Sequence, residues 1–125
     1  MKSSLKNDIG LALLRILPSA IMLTHGIPKL QKLINGDFEF ADPIGIGATP
    51  SLFLTVIGEV ICPILIIVGF KTRLAAVPAA ITMLVAAFFY HADDAFKVKE
   101  HAILYLIFFV VIFLLGPGKF SIDRK

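Results

Sequence analysis

The chain has 125 residues, 58% of them hydrophobic, a formal net charge of +3 and a single cysteine, with a mean hydropathy of +0.90. That length fits one domain, residues 1–125, and that hydropathy excludes an ordinary soluble domain in favour of an integral membrane protein. A lone cysteine excludes an internal disulfide or a dithiol cycle, and a small positive charge on so apolar a chain is a topology signal rather than a nucleic-acid footprint.

Four apolar runs follow in order: residues 9–27, 51–70, 74–90 and 102–115. The first three have the length a helix needs to cross a bilayer, about 17–25 residues. The fourth reaches that length if residues 98–101 and 116–120 enter the interface, with Tyr105 and Phe120 as anchors and Lys99 snorkelling. Such continuous runs lack the alternation of a membrane barrel, so the expected fold is all-α, an integral membrane four-helix bundle. Lys2 and Lys6 before an apolar stretch also open a signal peptide, but Arg15 breaks the run and no small-residue cleavage site precedes His25-Gly26-Ile27-Pro28. A retained first span is expected.

Residues 31–50 form the one long connection, broken by Asn35-Gly36-Asp37, Gly45, Gly47 and Pro50 and threaded with Phe38, Phe40, Ile44 and Ile46. It is expected to fold over the outer mouth of the bundle. The turns at 71–73 and about 92–97 are tight, which predicts antiparallel neighbours and an up-down topology. Four spans put Lys2, Lys6, Lys71, Arg73, Lys119, Arg124 and Lys125 on one side, and Lys29, Lys32, Lys97 and Lys99 on the other. The excess of positive charge predicts both termini in the cytoplasm, N-in and C-in.

Two charges interrupt the spans. Arg15 falls about 10 Å, and Glu59 about 16 Å, from the cytoplasmic ends of helices one and two. An uncompensated charge there is costly, so an Arg15–Glu59 ion pair is expected, with Arg15 and Glu59 as the candidate catalytic residues. Such a pair either locks two helices together or lets Glu59 exchange a proton. His25 at the end of helix one, His91 at the end of helix three and His101 at the start of helix four fall in the outer leaflet. Together with Glu100 they offer ligands to a metal or haem, or hydrogen bonds to a quinone carbonyl. No two share the i, i+4 spacing of a helix-borne metal site, and no metal is assigned to them.

On helix one, Arg15, Pro18, Ser19, Met22, Gly26 and Lys29 fall on one small and polar face, with His25 beside it. Thr55, Gly58, Glu59 and Cys62 make a matching stripe on helix two. His25, Lys29, His91 and His101 are the candidate ligand-binding residues. Pro18, Pro63 and Pro78 bend the spans and free backbone carbonyls.

Leu14-Arg15, Thr24-His25-Gly26 with Pro28-Lys29, Gly58-Glu59, the segment Gly69-Phe70-Lys71-Thr72-Arg73-Leu74-Ala75-Ala76 and the closing Gly116-Pro117-Gly118-Lys119-Phe120-Ser121-Ile122-Asp123 together resemble the DoxX family of small bacterial membrane proteins. The resemblance implies a four-helix inner-membrane fold and ties to quinol oxidase and to thiosulfate:quinone oxidoreductase. Its motifs map onto Arg15, His25, Gly26, Lys29, Gly58, Glu59 and Arg73. Relatives that use thiol chemistry need a cysteine pair, and this chain has one cysteine.

Two functions are expected from these residues. In one, the chain is a subunit of a quinone-linked redox system, with a quinone or quinol headgroup between helices one and two. In the other, it is a non-catalytic scaffold. The expected partners are the lipid bilayer and other membrane or redox proteins or a second copy of itself, with no nucleic acid.

Overall fold

The computed structural model describes residues 3–40, 45–91 and 93–123. Lys2, Arg124 and Lys125 of the charge count, Ile44 of the long connection and Ala92 of the last turn lie outside these residues. Within them the chain is all helical, with four helices: α1 (Ser3–Ile34), α2 (Ala48–Val68), α3 (Thr72–Tyr90) and α4 (Phe96–Leu115). The first three are long and apolar enough to cross a membrane.

Helix α1 is longer than its apolar run. Pro28, read as its end, lies inside it, and Lys29 and Lys32 extend it to Ile34. His25 therefore sits more than two turns before the helix end. A proline removes one backbone donor but need not stop a helix whose next turn is secured by packing.

Helices α2 and α3 each contain a wide, π-type turn, at Ile57–Ile61 and Ala86–Tyr90. The first follows from Pro63, which offers no N–H to the Glu59 carbonyl and whose ring crowds it. The ladder widens so that Cys62 N–H reaches back to the Ile57 carbonyl. Wide turns of this kind re-aim side chains and recur at functional positions. Here the turn carries Glu59.

The core is built from small residues facing large ones. Ala75, Ala76, Ala79 and Ala87 of α3 pack with Tyr105, Phe109 and Ile112 of α4, with Met22 of α1 and Ile66 of α2 against the same cluster. Small side chains let the helix backbones approach closely, which is the usual source of cohesion where lipid supplies no hydrophobic driving force. The outer surface is the reverse. Leu13, Leu17 and Ile21 of α1 are each more than half exposed, as are Leu54, Ile81 and Leu114 on the other helices. A soluble protein does not leave such stripes uncovered; lipid covers them.

Candidate functional site

Polar groups gather at two places. At the first, the segment after α4 folds back onto the α2–α3 turn. Arg15 is buried and donates from Nη1 to the Pro117 carbonyl at 2.7 Å, and from Nη2 to the carbonyls of Phe120 at 2.6 Å and Ile67 at 3.3 Å. Ile67 lies in the last turn of α2, where carbonyls lack helical partners and the helix dipole favours a cation. Arg73 does the same for α4, with Nε donating to the Phe113 carbonyl at 3.1 Å.

Asp123 caps α3 at the same place. Its carboxylate accepts from the N–H groups of Lys71 (3.0 Å) and Thr72 (2.9 Å) and from the Thr72 hydroxyl (3.0 Å). The residue at the cap position, Lys71, has a left-handed backbone and offers no side-chain cap of its own. Ile122 and Asp123 add backbone bonds to the carbonyls of Val68 and Gly69. A side chain on Gly69 would collide with Ser121, so this close docking needs glycine there.

The second gathering is a cavity of about 230 Å³ to which all four helices contribute, lined by Met22, His25, Lys29, Glu59, Met83, Ala86, His91, His101, Ala102 and Tyr105. At its heart Lys29 Nζ donates to both carboxylate oxygens of Glu59, at 2.7 and 2.8 Å. The Glu59 side chain is 4% exposed and that of Lys29 30%. Gly26 makes the pairing possible, because any side chain there would strike the Glu59 backbone carbonyl. Around the pair, the His25 ring meets Tyr105 edge-on at 5.9 Å. His91 closes α3, with Nδ1 2.7 Å from Asp94 Oδ2.

The ion pair expected between Arg15 and Glu59 does not form. Counting from the ends of the apolar runs brings the two charges within reach, but the long Arg15 side chain turns to the end of α2 and the segment after α4 instead. The cation that meets Glu59 is Lys29, about 21 Å further along the same polar face of α1. Arg15 accordingly does not line the cavity, whereas Glu59, His25, Lys29, His91 and His101 all do. Among the described residues, no group of three His, Cys, Asp or Glu side chains is placed to hold a metal ion.

The DoxX family model matches residues 10–92 of the chain. The chain belongs to the DoxX family. It is also similar to an uncharacterised protein of Haemophilus influenzae, 32% identical over 124 residues that cover 92% of this chain and 89% of the relative. No solved structure matches.

The DoxX motif residues divide between the two gatherings. Arg15, Thr72, Arg73 and the closing segment meet in the first; His25, Gly26, Lys29 and Glu59 meet in the second. Two participants take roles that the sequence reading did not give them. Asp123 stood only as the last residue of the closing motif segment, and nothing in its local sequence shows that it caps a helix start 51 residues away. Tyr105 was read as an interfacial anchor but is buried against the cavity. Its spacing of four from His101 on α4 is the signal that places both on one face.

Proposed function

We propose that this DoxX protein is a single-domain inner-membrane subunit that binds a quinone or quinol headgroup in the cavity around Lys29 and Glu59, within a redox system whose electrons are carried by a partner. Its spans form an up-down four-helix bundle with both termini cytoplasmic, following the excess of basic residues on the side of the termini. The cavity then lies in the outer half of the membrane.

One observation carries this reading: three histidines, a lysine, a glutamate and a tyrosine from three helices and a helix end share one small cavity in an otherwise apolar protein. Intramembrane ionisable residues are costly, and where they cluster in a cavity they mark a ligand or proton path. His25, His91 and His101 offer hydrogen bonds to ring oxygens, and Glu59 offers a place for a proton released or taken up when a quinol or quinone reacts. Lys29 takes the position first expected of Arg15, balancing the carboxylate.

A second reading, a scaffold without a ligand, is favoured by the completeness of the Lys29–Glu59 pair, in which both carboxylate oxygens already have a donor. A polar lock of this type fixes helix register. Binding separates the two. Reconstituted protein titrated with a quinone shows saturable binding that His25→Ala and His101→Ala weaken about tenfold, with unchanged unfolding temperature. No saturable binding, or binding indifferent to these substitutions, leaves the scaffold.

A further inference from the structure

A second, larger cavity of about 320 Å³ adjoins the first. Helices α2 and α3 touch where a side chain on Gly58 would collide with Thr82. Beside that contact lies the cavity, lined by Leu54 and Thr55 of α2 and Ile81, Thr82 and Val85 of α3, with Phe40 and Ile46 of the connection completing its wall. Both threonine hydroxyls are occupied by their own helices: Thr55 donates to the Ser51 carbonyl at 2.7 Å and Thr82 to the Pro78 carbonyl at 2.8 Å. With those hydroxyls already satisfied, and with Phe40, Ile46, Leu54, Ile81 and Val85 completing the lining, the chamber suits apolar matter.

The mouth of the chamber opens sideways. Leu54, Ile81 and Tyr90 on its rim are 53%, 54% and 56% exposed, on the surface that lipid covers. Its inner end is polar, because Lys29 and His91 line both cavities. The Lys29 ammonium has three N–H donors and spends two on Glu59, which leaves one for a ligand oxygen.

We infer that the two cavities are one site for an amphiphile, whose oxygen-bearing head lies against Lys29 and His91 and whose apolar tail lies in the chamber between α2 and α3. The ligand enters laterally from the bilayer through the gap between these two helices, not between helices one and two. The inference rests on the headgroup reading above and adds the class of ligand, a lipid-soluble one with a tail, and its route.

Two probes test it: a benzoquinone carrying a long alkyl chain and the same ring without the chain, each titrated into protein in phosphatidylcholine nanodiscs. Thr55→Phe fills the chamber from α2, and Val85→Phe fills it from α3 should the first variant fail to fold. The expected result is that the filled chamber weakens the tailed probe about tenfold, the loss that goes with two methylenes left unburied, while the tailless ring binds as to the unsubstituted protein. If both probes bind and filling the chamber changes neither, or both equally, the tail site is overturned and the headgroup reading stands. If neither probe binds the unsubstituted protein, the headgroup reading falls, and the tail site with it.

Discussion

Lys29 and Glu59 illustrate how a buried charge is tolerated: the carboxylate is almost fully enclosed and both its oxygens are held by one ammonium. Removing one partner strands the other. Lys29→Met is expected to destabilise the protein by about 3–5 kcal/mol in denaturant unfolding from detergent, and adding Glu59→Gln to restore much of the loss. Arg15→Gln and Glu59→Gln, in contrast, are expected to add independently, since the two residues belong to separate clusters. A coupling between Arg15 and Glu59 larger than about 0.5 kcal/mol contradicts the geometry described. Gly26→Ala pushes a methyl group into the Glu59 carbonyl and is expected to cost about 1–3 kcal/mol. At this scale the sequence announced that Arg15 and Glu59 need partners, because a charge in an apolar run always does. It did not announce which partners, because side-chain reach and the offset between helices exceed what counting along each span resolves.

At the level of elements, the helices follow directly from apolar runs of spanning length, and their ends do not. Helix α1 continues through Pro28 to Ile34 because Leu30 and Leu33 pack against Leu52, Val56 and Val60 of α2; a tertiary contact overrides a local stop signal. The start of α3 depends on Asp123. Asp123→Ala is expected to cost about 1 kcal/mol, with faster amide exchange confined to the first turn of α3 and the α2–α3 turn. The end of α1 is closed by Lys32 and Asp37, 3.0 Å apart. The hydrogen bond from Lys32, and then the Glu39 N–H, hold the Asp37 carboxyl below its usual range. A lowered folded-state value means the contribution is present above the ordinary carboxylate range and is lost as pH falls through the lowered one. Hydrogen exchange at residues 35–40 is therefore expected to rise on acidification below about pH 4, weakly, since the pair is exposed and screened by salt.

For the molecule as a whole, the stripes of leucine, isoleucine and phenylalanine on its outside mark where lipid lies, and the proposed orientation follows the basic residues. With Cys62, which is buried, replaced by alanine, a single cysteine at Phe38 is expected to react with a membrane-impermeant maleimide added to intact cells, and one at Lys119 only after the cells are opened. The reverse pattern would invert the topology and move the cavity to the cytoplasmic half. The histidines were legible as a group because the ends of the apolar runs place them at one depth. The apolar chamber beside them was not, because its lining comes from two helices and the long connection, and no single stretch of sequence carries a gap between elements.

The carboxylate at the head of α3 is supplied by a residue 51 positions further along the chain than the Thr72 backbone group it binds. A ribosome delivers α3 to the translocon well before it polymerises that residue, so the opening turn of the helix stays loose until Asp123 emerges. A polypeptide ending shortly before Asp123 is thus expected to keep its helices yet leave that turn unfastened.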